Sequence, residues 1–216
     1  MKTKTTLKGI IMLVLLTVFG ITEAQVPKAK EKDYNKAVKQ RTKELAKMGY
    51  SPKGAGSLEL YVKAAINKEF ETDDKGEAKN AVVYTSAVDP TFEGAMNACR
   101  AAARAALAGN IETNVAELVK RSLNSDQVSM KSADGINKTV TAGKQLIAQK
   151  VSMEDTYILF REIKDERDGK TIIEVNYAGA YSKKLALQNT QDYLKEEMKN
   201  ETEELHKELD KIFNLN

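Results

Sequence analysis

The chain has 216 residues, 42% hydrophobic and 30% charged, with a formal net charge of +3, one cysteine, one histidine and no tryptophan. A lone Cys99 excludes an intramolecular disulfide, and a lone His206 excludes a metal site built from several histidines of one chain.

At the start, Lys2, Lys4 and Lys8 precede a 13-residue apolar run from Gly9 to Ile21, which Thr22-Glu23-Ala24 closes. This order predicts a secretory signal peptide over residues 1–24, cut between Ala24 and Gln25. The run falls short of the roughly 18 to 20 residues that span a bilayer, and no later run is long enough, so no transmembrane segment is expected after cleavage. Cleavage removes three lysines and Glu23, which lowers the formal charge from +3 to +1. Nothing basic remains that points to nucleic acid. Gln25 stands where a lipoprotein would carry cysteine, so no lipid anchor is expected. The sequence therefore reads as exported: periplasmic, associated with an outer membrane, or secreted.

After a polar lead-in over 25–32, Tyr34, Val38, Arg41, Leu45 and Met48 recur at helical spacing, with Arg41 the one polar interruption. That helix should end at Gly49, before Pro52. The segment SPKGAG, residues 51–56, reads as a turn, and Ser57 as the cap of a second helix carrying Leu58, Tyr61, Val62, Ala65, Ile66 and Phe70. AVVYTSAV, residues 81–88, predicts a strand. Asp89-Pro90 should cap and open a long helix that runs through Leu123. A polar break over 124–135 precedes a helix through Ile136, Val140, Gly143, Ile147 and Val151. Residues 156–164 and 171–181 alternate apolar and polar positions around an Asp-Gly turn, which predicts a hairpin with one solvated face. From Ser182 the chain is a charged helix whose apolar stripe breaks around Glu201.

The order predicts an α+β fold: a small three-stranded antiparallel sheet with helices on one side, packed by the long alanine-rich helix. Four parts are expected: the signal peptide at 1–24, an N-terminal helical extension at 25–77, the α+β core at 78–183 and a C-terminal amphipathic helix at 184–216. Along ACRAAARAALAGNI, residues 98–111, and Ala95 just before it, the small face is read as Ala95, Ala98, Ala102, Ala106 and Gly109, widened by Ala101, Ala105 and Ala108. Arg100, Arg104 and Asn110 make the segment too polar for a bilayer, so its role is read as packing on the sheet.

The run AMNACRAAARAALAGNIETNV and the later hairpin TYILFREIKDERDGKTIIEVNY resemble the Lpp-twenty-type lipoprotein family of Gram-negative envelopes, over about residues 78–183. The shared features are Ala103-Arg104, then Leu107, Ala108, Ile111 and Val115, and the strand pair. The resemblance implies an α+β fold and an envelope location, and it supplies no catalytic residue. This chain departs from it by lacking the lipid-accepting cysteine and by adding helices at both ends.

No catalytic, cofactor-binding or metal-binding residue is assigned, and no cofactor is expected. His206 sits among Glu203, Glu204, Lys207 and Glu208 and reads as a surface residue. Cys99 lies well past the first turn of its helix, where the dipole effect fades, and reads as a buried small residue. KGAG at 53–56 is read as following no strand, and so as no phosphate loop. Two acidic groups, Asp73, Asp74 and Glu77 and then Asp165, Glu166 and Asp168, lack the spacing of a calcium loop. Leu194, Met198, Leu205, Leu209 and Ile212 are the candidate contact for a protein partner or a homo-oligomer through the C-terminal helix. The expected function is a non-catalytic envelope protein that binds a protein or an envelope component. The alternatives are a carboxylate-dependent glycan hydrolase, which needs two suitably spaced acids, and a small-ligand carrier, which needs an enclosed apolar cavity.

Overall fold

The computed structural model describes residues 28–166 and 169–213, so the signal segment and Asp168 lie outside the described residues. The chain forms α1 (Lys28–Lys47), β1 (Ser51–Pro52), α2 (Leu58–Phe70), β2 (Asn80–Asp89), α3 (Phe92–Asn124), α4 (Met130–Lys150), β3 (Glu154–Lys164), β4 (Thr171–Ser182), α5 (Lys183–Glu197) and α6 (Glu203–Phe213). The fold class is α+β. No helix among the described residues is long and apolar enough to cross a membrane.

The sheet is antiparallel with strand order β1-β3-β4-β2, which corrects the expected three strands to four. Its extra member is the start of the expected turn: Ser51 and Pro52 pair with Phe160 and Leu159 at the edge of β3. Two residues carry no readable alternation, and a proline is tolerated on an edge strand, where its missing N–H costs no ladder bond. As a result KGAG does follow a strand, contrary to expectation.

Both faces of the sheet are covered, which corrects the expected solvated face. On one face α3 packs Ala95, Met96, Cys99, Ala103 and Leu107 against Val83, Val175, Tyr177 and Tyr181 in the main core. On the other, α1 and α2 bring Val38, Leu45, Val62, Ala65 and Ile66 onto Tyr157, Leu159 and Ala178 in a second core. The polar-looking positions of the hairpin are therefore inner positions of a second interface, and the N-terminal helices are its other half.

Capping explains where α3 begins. Thr91 is the N-cap, its Oγ1 accepting from the Gly94 N–H at 3.0 Å, in place of the expected Asp89. Asp89 ends β2 instead, and its Oδ1 accepts from the Thr91 N–H at 2.9 Å and the Thr91 hydroxyl at 2.8 Å. A Cβ at residue 94 would meet that carboxylate at 2.1 Å, so any side chain there would have to displace Asp89 from Thr91. The buried face of α3 is also rotated from expectation. Ala95, Cys99, Ala103 and Leu107 are inside, whereas Ala98, Ala101 and Ala105 are exposed, because Met96, Leu107, Ile111 and Val115 set the stripe.

The expected C-terminal helix is two helices, α5 and α6, separated around Glu201. Leu194, Met198, Leu205, Leu209 and Ile212, read as a partner contact, are all buried in the main core, between 0% and 8% exposed. A sparse stripe suffices for that position because α4, α3 and α5 supply the opposing apolar surface.

Candidate functional site

The site is built where β3 begins. Glu154 faces Ala180 and Asp155 faces Gly179, but Tyr157 faces Ala178, so a bulge intervenes between Asp155 and Tyr157. Bulges re-aim side chains and are common beside functional sites. Here it leaves Asp155 on the rim of two open clefts. The first, about 490 Å³, is lined by Arg100, Arg104, Met153, Asp155 and Tyr177. The second, about 300 Å³, is lined by Lys53, Gly54, Tyr61, Tyr157 and Asp155 itself, among others.

Both oxygens of Asp155 are engaged. Oδ1 accepts from the Tyr177 hydroxyl at 2.7 Å, and Oδ2 accepts from Arg100 Nη2, which also closes a salt bridge. Burial first, and then the hydrogen bond to Asp155, push the Tyr177 phenol well above its ordinary range. Arg104 lies one turn on from Arg100. Its Nη1 donates to the carbonyls of Ala148, at 2.8 Å, and Val151, so a guanidinium satisfies carbonyls at the C-terminal end of α4. Close packing fixes the floor, because a Cβ at Gly179 would approach Met153 Sδ and Tyr177 Oη to 2.6 Å.

In the second cleft the KGAG segment supplies Lys53 and Gly54. The Lys53 ammonium sits 3.3 Å from the centroid of the Phe92 ring and 3.3 Å from Glu93 Oε1. Behind this cleft runs a polar layer between α1 and the sheet. Tyr157 Oη donates to Asn176 Oδ1 at 2.8 Å and accepts from Arg41 Nη2 at 3.2 Å, and the Arg41 guanidinium lies 5.1 Å from the Tyr84 ring centroid. Burial raises the phenols of Tyr157 and Tyr84. Arg41 Nε, Thr42 Oγ1 and Tyr84 Oη are buried and close no hydrogen bond among the described residues. The polar interruption in the first helix stripe is thus Arg41 reaching the sheet. It is the one sequence feature that pointed to this layer.

The other sequence candidates lie apart from the clefts. Cys99 is fully buried, its Sγ donates to the Val175 carbonyl at 3.4 Å, and burial pushes its thiol up to about 11. His206 is half-buried on α6. Asp73 is occupied by its own turn, accepting from the Lys75 and Glu77 N–H groups at 2.9 Å each. Among the described residues no group of three or more His, Cys, Asp or Glu side chains is placed to hold a metal ion.

Compared with known proteins, the chain matches no protein-family model, and neither the curated proteins nor the solved structures contain a significant match.

Proposed function

We propose that this is an exported, non-catalytic protein of the cell envelope that binds a protein or an envelope component through the clefts at Asp155. One observation carries the reading: Asp155 is held from both sides, by Tyr177 and by Arg100, at the mouth of open clefts. Groups fixed in this way present a rigid pattern of charge and hydrogen-bonding capacity, which suits recognition. A proton-transfer group, in contrast, needs a free oxygen within reach of substrate. Export and envelope location rest on the basic, apolar and small-residue order of residues 1–24 and on the resemblance to Lpp-twenty-type lipoproteins.

Glycoside hydrolysis is less well supported, since it takes two carboxylates roughly 5 to 10 Å apart. Among the described residues, Asp155 is the only acid lining either cleft. A carrier needs an enclosed apolar cavity between helix and sheet, where Cys99, Ala103, Val175 and Tyr177 are all buried in contact.

The test is capture from a fractionated envelope by immobilised wild-type protein and by Arg100→Gln, with N-terminal sequencing of the mature form. The reading requires a defined component that wild type retains and Arg100→Gln releases, together with a mature N-terminus at Gln25. Equal capture by both proteins, or an uncut N-terminus on a cytoplasmic protein, would overturn it.

A further inference from the structure

The two edges of the sheet are treated differently. The edge on the β1 side is guarded: it is formed by only the two residues of β1, paired at Leu159 and Phe160, and β3 behind it is bent by a bulge at Asp155 and carries Glu154, Asp155, Arg161, Glu162 and Lys164. Short cover strands, bulges and charges are the devices by which proteins prevent edge-to-edge pairing. β2, the other edge, has no cover strand and no bulge. Its ten residues, NAVVYTSAVD, pair with β4 in unbroken register from Asn80 to Asp89, with no proline and no charge before the last position. Among the described residues, backbone-to-backbone hydrogen bonds from residues 81–88 go only to β4. Apolar surface reaches the rim, where Val88 is 49% exposed while Ala81, Val82, Tyr84 and Ala87 are half-buried.

We infer that this edge pairs with the same edge of a second copy of the chain, joining two sheets into one antiparallel sheet. The strand is complementary to itself. A two-fold axis at Tyr84, perpendicular to the sheet, sets Val83 opposite Thr85, Val82 opposite Ser86, Ala81 opposite Ala87 and Asn80 opposite Val88. It keeps odd-numbered residues, which face α3, against odd-numbered ones, so each core continues into its counterpart. One step further it places Lys79 opposite Asp89 at both ends of the junction. Those two charges are held at the strand ends, Lys79 by Glu71 and Asp89 by Thr91. Between the terminal pairs every facing residue is uncharged, so no like charges oppose each other. An unrelated extended peptide has no reason to match both end charges.

Sedimentation velocity of the purified protein from about 1 to 100 μM, where a dimer of ordinary affinity dissociates, tests this. The expected result is a monomer–dimer equilibrium that Ser86→Lys/Val88→Lys weakens at least about tenfold, by putting lysines on the open edge. Circular dichroism checks that the variant is folded. If it is not, hydrogen exchange of the wild type decides: alternate amides of 81–88 should gain protection as concentration rises. A monomer at every concentration, a dimer indifferent to both lysines, or β2 protection that appears only on adding envelope fractions would each overturn the pairing with a second copy.

Discussion

Tyr177 and Asp155 stand on neighbouring strands, and the Tyr177 hydroxyl spans the gap to Asp155 Oδ1 at 2.7 Å. The tyrosine is 1% exposed and belongs to the main core, so this bond joins the sheet interior to the rim of the larger cleft. Asp155 is then held against Arg100 on α3, and strand, core and helix meet at one carboxylate.

Tyr177→Phe removes the donor and keeps the ring. We expect a loss of about 1 kcal/mol, the usual net value of one hydrogen bond, seen as a fall of about 2 to 4 °C in Tm. Capture of an envelope component should weaken as well, because Arg100 alone then positions the carboxylate. An unchanged Tm with unchanged capture would make the bond incidental.

Alkaline pH addresses the same chemistry across the sheet. Burial raises the phenols of Tyr50, Tyr84, Tyr157, Tyr177 and Tyr181. An acid whose folded pKa is raised favours the protonated folded state. Its stabilisation is therefore fully present below the unfolded value of about 10 and is lost as pH climbs towards the higher folded values. Phenolate absorbance at 295 nm should show a delayed phase that coincides with loss of the circular dichroism signal. Complete ionisation near pH 10 with the fold intact would contradict the burial of these rings.

Much of this arrangement was legible in the chain because it depends on local periodicity. β2, the hairpin, α3 and the break near Glu201 lie within a few residues of their expected places. The errors came from tertiary partners. The hairpin reads as having one solvated face because α1 and α2, the helices that cover it, lie more than 80 residues earlier in the chain. Asp155, Arg100 and Lys53 converge from three separate elements, with no spacing to announce it. The alanine stretch misled differently: with small residues on every side of α3, only its few bulky neighbours reveal which face is inside.

That ambiguity has a direct test. Ala103 is fully buried, while Ala101 is exposed on the same helix. Ala103→Leu should cost about 1 to 3 kcal/mol through overpacking, and Ala101→Leu should stay within about 0.5 kcal/mol of wild type. Thermal melts of the pair, read side by side, would expose a wrong helix rotation by reversing the order.

Cys99 sits on that inner face, and its thiol is pushed up to about 11 by burial. Thiolate is then scarce at pH 8, and access requires opening of the core. A chromogenic disulfide reagent should react with one equivalent in guanidinium and only slowly with the native protein. Rapid stoichiometric reaction of the native protein would place the cysteine on the surface and refute the packing of α3.

The C-terminal helices provide the last test, because two roles for the same stripe predict opposite results. Leu209 is fully buried in the main core, beside Leu205 and Ile212, while Lys195 on α5 pairs with Asp210 on α6 at 2.7 Å. Leu209→Ala leaves a cavity that the surrounding helices fill only in part, at a cost of about 2 to 5 kcal/mol. The loss should be seen in chemical denaturation at every protein concentration, because the contact lies within one chain. Were the stripe a partner surface, the variant would unfold like wild type and lose only its association. A midpoint that falls equally in dilute and concentrated samples therefore assigns α6 to the core, and an unchanged midpoint returns it to the interface.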